Sequence, residues 1–297
     1  MTAIHVLLQV IVGGILVGGL YGLFSSGLSL IFGITRVVNF AHGDFVTMGM
    51  YGAFFAFTAL GMNPLAALLP VAALMFLLGI LVYAVVLRRT TVSPREQVGD
   101  SHAQLVLTLA LSILFENAME LAFSPNPDAI SGVMAHTYHV GAIYINETQL
   151  VAFLVALVFF GALYALLNFT GFGRAVQATV DDADMAAMVG IDTRKIYAVN
   201  FGIGVALAAV AGAVLILYFP VTPTTGASLL VIAFVVVVLG GLGNVVGAFL
   251  AGLLIGVVQA ATATYVALDL QNVGVFLAFI LVLLFRPQGL WGRGLAR

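Results

Sequence analysis

Nine apolar runs, at roughly 5–33, 43–60, 64–87, 103–123, 149–169, 196–219, 227–241, 245–265 and 270–285, fill most of this chain. A helix needs about 20 mainly apolar residues to cross a bilayer, and most of the runs reach that length. Composition removes the soluble alternative: 7% of the 297 residues are charged, 63% are hydrophobic, and mean hydropathy is +1.19. A water-facing shell takes roughly 25% charged residues, so lipid must be the solvent for most of this surface. The expected fold is all-α, a polytopic transmembrane helix bundle of about eight spans. The short 227–241 run either crosses or re-enters. Residues 1–297 read as a single transmembrane domain.

The same composition excludes several functions. A net charge of −2 gives no basic field for nucleic acid. The absence of cysteine rules out disulfides, thiolate catalysis and cysteine-ligated metal centres. No Gly-x-x-x-x-Gly-Lys-Ser/Thr loop occurs, so ATP hydrolysis must come from another polypeptide. No cofactor or resident metal is expected. Met1 to Gly33 is apolar for much longer than a signal-peptide core and has no basic segment before it, which predicts a retained membrane helix.

Arg88, Arg89 and Arg95 fall in one loop, Arg174, Arg194 and Lys195 in another, and Arg286, Arg293 and Arg297 in the tail. The loop from Ser124 to Thr148 has no Lys or Arg. The positive-inside rule therefore predicts cytoplasmic basic regions, a cytoplasmic C-terminus and an external 124–148 loop. Met1 to Thr35 carries no Lys, Arg, Asp or Glu, and its orientation stays open.

Two stretches interrupt the apolar pattern: Gly33-Ile34-Thr35-Arg36-Val37-Val38-Asn39-Phe40-Ala41-His42-Gly43-Asp44, and Gly240-Gly241-Leu242-Gly243-Asn244-Val245-Val246-Gly247. Freed backbone at membrane depth must be buried in protein or line a wet cavity. Interrupted segments in corresponding halves of a transporter point to its pathway and to an inverted repeat of discontinuous helices. Arg36, Asn39, Phe40, His42, Gly43, Asp44, Gly240, Gly241, Gly243 and Asn244 are the pathway candidates, against the alternative that both stretches are ordinary hairpin turns. His42 and Asp44 suit helix capping and interhelical hydrogen bonds better than a metal site, for which no third ligand is near in sequence. Glu116 and Glu120, one turn apart beside Asn117, either take a substrate ammonium near the external mouth or face water or a partner subunit.

The loop 170–197 reads as a device for docking. Asp181 and Asp182 suit a helix N-terminus, and Gly190 suits a helix end. Met185, Met188 and Val189 between them share one face. Such an apolar stripe outside the membrane either meets a partner's groove or packs back on the bundle.

Gly173-Arg174-Ala175-Val176 and Asp182-Ala183-Asp184-Met185-Ala186-Ala187-Met188-Val189-Gly190-Ile191-Asp192 resemble the conserved loop of branched-chain amino-acid ABC-transporter permeases. The stretch Gly27 to Gly52 around Asn39-Phe40-Ala41-His42-Gly43 is similar to the family's N-terminal signature. Val238 to Ala248 and Phe285-Arg286-Pro287-Gln288-Gly289-Leu290 match it as well. The resemblance, closest to the shorter of the family's two permeases, implies an importer in the bacterial inner membrane. Its implied partners are a second, longer permease, two cytoplasmic ATPases and an external solute-binding protein. Asp182, Asp184, Met185, Met188, Val189 and Gly190 would form the coupling helix, and Asn39 to Gly43 a broken helix near the path. Ala183, Asp184 and Ala187 depart from the common proline, glutamate and arginine, and Asp44 from a frequent glutamate.

Related permeases also handle other amino acids, amides and urea. Two other classes compete. An ion-coupled secondary transporter would use His42, Asp44 or Asp269, and an intramembrane enzyme would need Ser25, Ser26 and His42 as a nucleophile–base set.

Overall fold

A computed structural model describes residues 3–88, 97–123, 125–130, 136–141 and 143–292. Arg89, Arg95, Ser124, Arg293 and Arg297 lie outside the described residues. The chain forms α1 (Ala3–Thr35), α2 (His42–Thr58), α3 (Leu68–Val82, continued by a π-helical turn Tyr83–Leu87) and α4 (Gln97–Phe123). A hairpin of β1 (Thr137–Val140) and β2 (Ile143–Asn146) leads into α5 (Glu147–Phe169). Then follow α6 (Gly171–Asp181), α7 (Ala183–Met188), α8 (Thr193–Leu215), α9 (Thr225–Gly240), α10 (Val245–Tyr265) and α11 (Gln271–Phe285). Among the described residues, seven helices are long and apolar enough to cross a membrane. The protein is a multi-pass, all-α membrane bundle.

Helices α2 and α9, which fall outside those seven, explain why a simple span count is ambiguous. Thr35 ends α1, and the chain then climbs back along it until the His42 Nε2 lies 2.8 Å from the Phe24 carbonyl. At 1.5 Å per residue, that places the start of α2 roughly 16 Å from the end of α1. The segment 216–224 makes the opposite excursion. Val221 pairs with Asp128 at the other end of the bundle, after which α9 begins where Gly226 meets Gly43. Both are half-helices whose N-termini meet inside the bundle.

This junction organises an inverted repeat. Asn200 donates to the Leu30 carbonyl at 2.9 Å, and Gly27 packs on Gly204, so α1 and α8 run antiparallel at the centre. Around them α1 lies on α10 as α8 lies on α3, and α2 lies on α8 as α9 lies on α1. The residues at these crossings are small because backbone contact is the main source of helix association in lipid. A Cβ on Gly14 would stand 2.5 Å from the Val257 Cα, and one on Gly18 would stand 2.7 Å from the Gly252 carbonyl. Glycine is required there by close approach.

Arg36, Arg88, Arg174, Arg194, Lys195 and Arg286 fall at element boundaries on one end of the bundle, hereafter the basic end. The β-hairpin marks the other end, where the Gln9 amide bonds both the N–H and the carbonyl of Tyr144 at 2.8 Å.

Candidate functional site

Local chemistry dictates the first break. Arg36 adopts φ 58°, and its amide donates to Phe32 at 2.8 Å, ending α1 in a left-handed turn. Asn39 then prepares α2: its Oδ1 accepts from the Ala41 amide at 3.1 Å and its carbonyl from the His42 amide at 3.2 Å. Asn39, His42 and Asp44 are all buried, whereas Phe40 is partly exposed. Gly43 has no room for a side chain, because a Cβ would strike the Gly226 carbonyl.

Asp44 occupies the junction itself. Ser112 of α4 lies beside its carboxylate, and Glu116 lies within electrostatic reach. Oδ1 stands 2.8 Å from the position a Cβ on Gly226 would take. Oδ2 is buried without a hydrogen-bond partner. The ring of Phe45 packs against Phe115 at 5.4 Å and edge-on to Phe201 at 6.2 Å, which fixes the register of α2 on α4 and α8. Thr222 hydrogen-bonds both Thr224 and Thr225 at the start of α9. The sequence reading overlooked α9's N-terminus, although the Pro220-Val221-Thr222-Pro223-Thr224-Thr225-Gly226 run is a signal for a break.

The second glycine cluster lies elsewhere. Gly241 (φ 96°) and Gly243 (φ 82°) form the tight turn between α9 and α10 at the basic end. Asn244 caps α10 through the Gly247 amide (2.9 Å) and donates to the Trp291 carbonyl (2.8 Å). The Leu290 amide bonds Leu239 at 2.7 Å, so the tail covers this turn. Gly240 packs on Gly247 and Ala248, and Gly243 on Gly33. The first stretch thus supplies the mid-bundle junction, while Gly240, Gly241, Gly243 and Asn244 shape a terminal turn.

Beyond the basic end, 170–197 folds into two helices. The first, α6, was not anticipated because Gly171 and Gly173 look like breakers. Thr170 caps it by accepting from the Gly173 amide at 3.2 Å. Asp182, not Asp181, caps α7: its Oδ1 accepts from Asp184 and Met185, each at 2.9 Å. Gly190 takes φ 92° past the helix end. Asp184 lies in the first turn, where its charge suits the helix dipole. Met185, Met188 and Val189 are 62%, 82% and 78% exposed, whereas Ala186 is buried against the protein. The apolar ridge therefore faces outward. Asp192 caps α8, and the Lys195 side chain at 3.1 Å, with the Lys195 amide, holds its carboxyl below the usual carboxylate range.

Loss of the Asp182 cap has a measurable consequence. Asp182→Ala should cost α7 about 1 kcal/mol and speed its amide exchange by about fivefold. Hydrogen-exchange mass spectrometry across 183–190, with α8 as internal control, checks this.

The sequence profile of the family described as branched-chain amino acid transport system, permease component, matches residues 10–285. The high-affinity branched-chain amino acid transport system permease protein BraD of Pseudomonas aeruginosa is 34% identical over 99% of this chain and 98% of that protein. The permease protein LivH of the corresponding system in Salmonella typhimurium is 31% identical over 96% of each chain. The probable branched-chain amino acid transport permease protein LivH of Methanocaldococcus jannaschii is 26% identical over 96% of this chain and 92% of its own. No solved structure matches. With its profile match running through every membrane helix, from α1 to the end of α11, this chain belongs to the branched-chain amino acid transport permease family.

Proposed function

We propose that this chain is the membrane-spanning permease subunit of an importer for branched-chain amino acids, driven by separate ATPase subunits. One observation carries the reading: a chain aligned end to end with permeases of that name presents a capped, outward-facing apolar helix beyond its basic end. The basic end is cytoplasmic and the β-hairpin external. The ridge of Met185, Met188 and Val189 seats in an ATPase groove, while a solute-binding protein delivers substrate at the external end. A second permease completes the pathway.

Mechanism follows from the bundle's build. The two repeats are related by inversion about the α2–α9 junction, so outward movement of the helices flanking it, first at one end of the bundle and then at the other, exposes that junction to either side in turn. ATP binding draws the coupling helices together, and Arg36 provides a route inward. Its guanidinium reaches the Val180 carbonyl of α6 at 3.5 Å, just before the 37–41 segment that leads to Asp44. The subunit itself performs no chemistry.

The test is a mild-detergent pull-down of the tagged chain, followed by vesicle uptake. Co-purification of two ATPases and a second permease, with ATP-dependent uptake of leucine, isoleucine or valine, is expected. A chain that purifies alone and still transports down an ion gradient would replace this reading with a secondary transporter. An intact complex that imports an amide or urea instead would change the substrate class only.

A further inference from the structure

We propose that Asp44 and Glu116 hold the α-ammonium group of the transported amino acid between α2, α4 and α9, an inference that rests on the importer reading. The starting point is charge. Two half-helices meet here by their N-termini, each contributing about +0.5 of an elementary charge. Asp44, on the first turn of α2 and beside Gly226 of α9, faces both ends, so this one carboxylate suffices to balance them. Glu116 is therefore in excess. Among the described residues neither carboxylate has an ion-pair partner, the Lys and Arg side chains lie at the basic end of the bundle, and the nearby His42 ring is turned to the Phe24 carbonyl. With both groups ionised, the junction lacks one positive charge.

Geometry agrees with that count. The Asp44 Oδ2 is buried and has no hydrogen-bond partner. Ser112 lies beside the same carboxylate, and Glu116 follows Ser112 one turn later on α4. Phe45 and Phe115 adjoin the pair, their rings tilted against each other with centroids 5.4 Å apart, an apolar wall suited to a branched aliphatic side chain. A buried carboxylate with an open acceptor is costly in a membrane unless a cation reaches it. A primary ammonium supplies one charge and three donors, enough for both carboxylates and the Ser112 oxygen. The placement also suits alternating access. The junction is where the two half-helices meet, and α4 packs mainly on α2 and on the π-helical turn after α3, leaving it free to move outward.

The experiment uses the assembled complex in vesicles, with radiolabelled leucine as substrate. Glu116→Gln should lower uptake by about tenfold to a hundredfold, the scale of a lost charge-assisted hydrogen bond. Co-purification of partners and the complex's melting temperature should not change, because Glu116 caps no helix. Glu116→Asp should recover part of the uptake. Asp44→Asn should lower uptake similarly, and the double variant should fall little further than either single one, since both remove the same contact. Uptake by Glu116→Gln within twofold of wild type overturns the proposal. So does wild-type uptake that follows an imposed proton gradient at fixed ATP, which would assign the pair to a proton. A wild-type complex that imports none of the branched-chain amino acids would overturn the importer reading and this one together. Normal wild-type import with normal Glu116→Gln import removes this one alone.

Discussion

Gly252→Val is expected to abolish recovery of folded, monodisperse protein, whereas Gly161→Ala leaves it intact. Both glycines sit in apolar helices, and sequence patterning does not distinguish them. The structure does. A Cβ on Gly252 would fall on the Gly22 amide and Cα of α1, with the Tyr21 carbonyl carbon 2.9 Å away. All three obstacles are backbone atoms, so no rotamer change relieves the clash. The helices must part, and with them the tight run of Gly14, Gly18 and Gly22 on Gly252 and Gly256. Overpacking that side chains can absorb costs about 1–3 kcal/mol, and a rigid backbone clash costs more. The loss is then on the order of half of a typical folding free energy. Around Gly161 of α5 nothing lies within 4 Å of a Cβ. Alanine there should be neutral or stabilising by up to about 1 kcal/mol through its helix preference. Size-exclusion profiles and thermal melting in detergent decide the matter. Equal recovery of Gly252→Val and wild type would contradict the α1–α10 interface described here.

Much of this architecture was legible before any coordinates. The apolar run 245–265 coincides with α10, and 5–33 with nearly all of α1, because span length is set by bilayer thickness rather than by partners. The capped helix α7 was legible for a different reason. Caps act locally, and Asp182 and Gly190 mark the ends of α7 whatever surrounds them. Features made by distant residues stayed hidden. Nothing in the local sequence announces that Gly43 will touch Gly226, or that Ser112 will lie beside Asp44. The 227–241 run carries the mark of a half-helix only in its shortness and in Pro220 and Pro223 before it. The Gly240–Asn244 cluster illustrates the converse. Its glycines signal unusual backbone correctly, yet the purpose they serve depends on Leu290 and Trp291, which reach the turn from the tail.

The exposed ridge of Met185, Met188 and Val189, proposed above to dock an ATPase, yields the largest functional effect with the smallest structural one. Met185→Asp/Met188→Asp should eliminate ATPase co-purification and reduce ATP-dependent uptake to background, while membrane insertion and melting temperature stay at wild-type values. The asymmetry follows from exposure. The two methionines are 62% and 82% exposed, so the chain's own stability gains little from them. A partner groove that covers them, however, would have to bury two unpaired carboxylates, at several kcal/mol apiece. Interface anchors of this type typically contribute about 2 kcal/mol or more each on truncation alone, so losing both moves a micromolar or tighter contact beyond detection. Met185→Leu/Met188→Leu keeps the apolar ridge and should keep both activities, which separates apolar docking from any special need for sulfur. Ala186→Asp is the reverse control. Its buried position makes it a folding defect, with loss of melting temperature as well as of partners. Retention of ATPases and of driven uptake by the double aspartate variant would mean that the ATPase engages another surface of the basic end, and the ridge would then have to face membrane or a second permease instead.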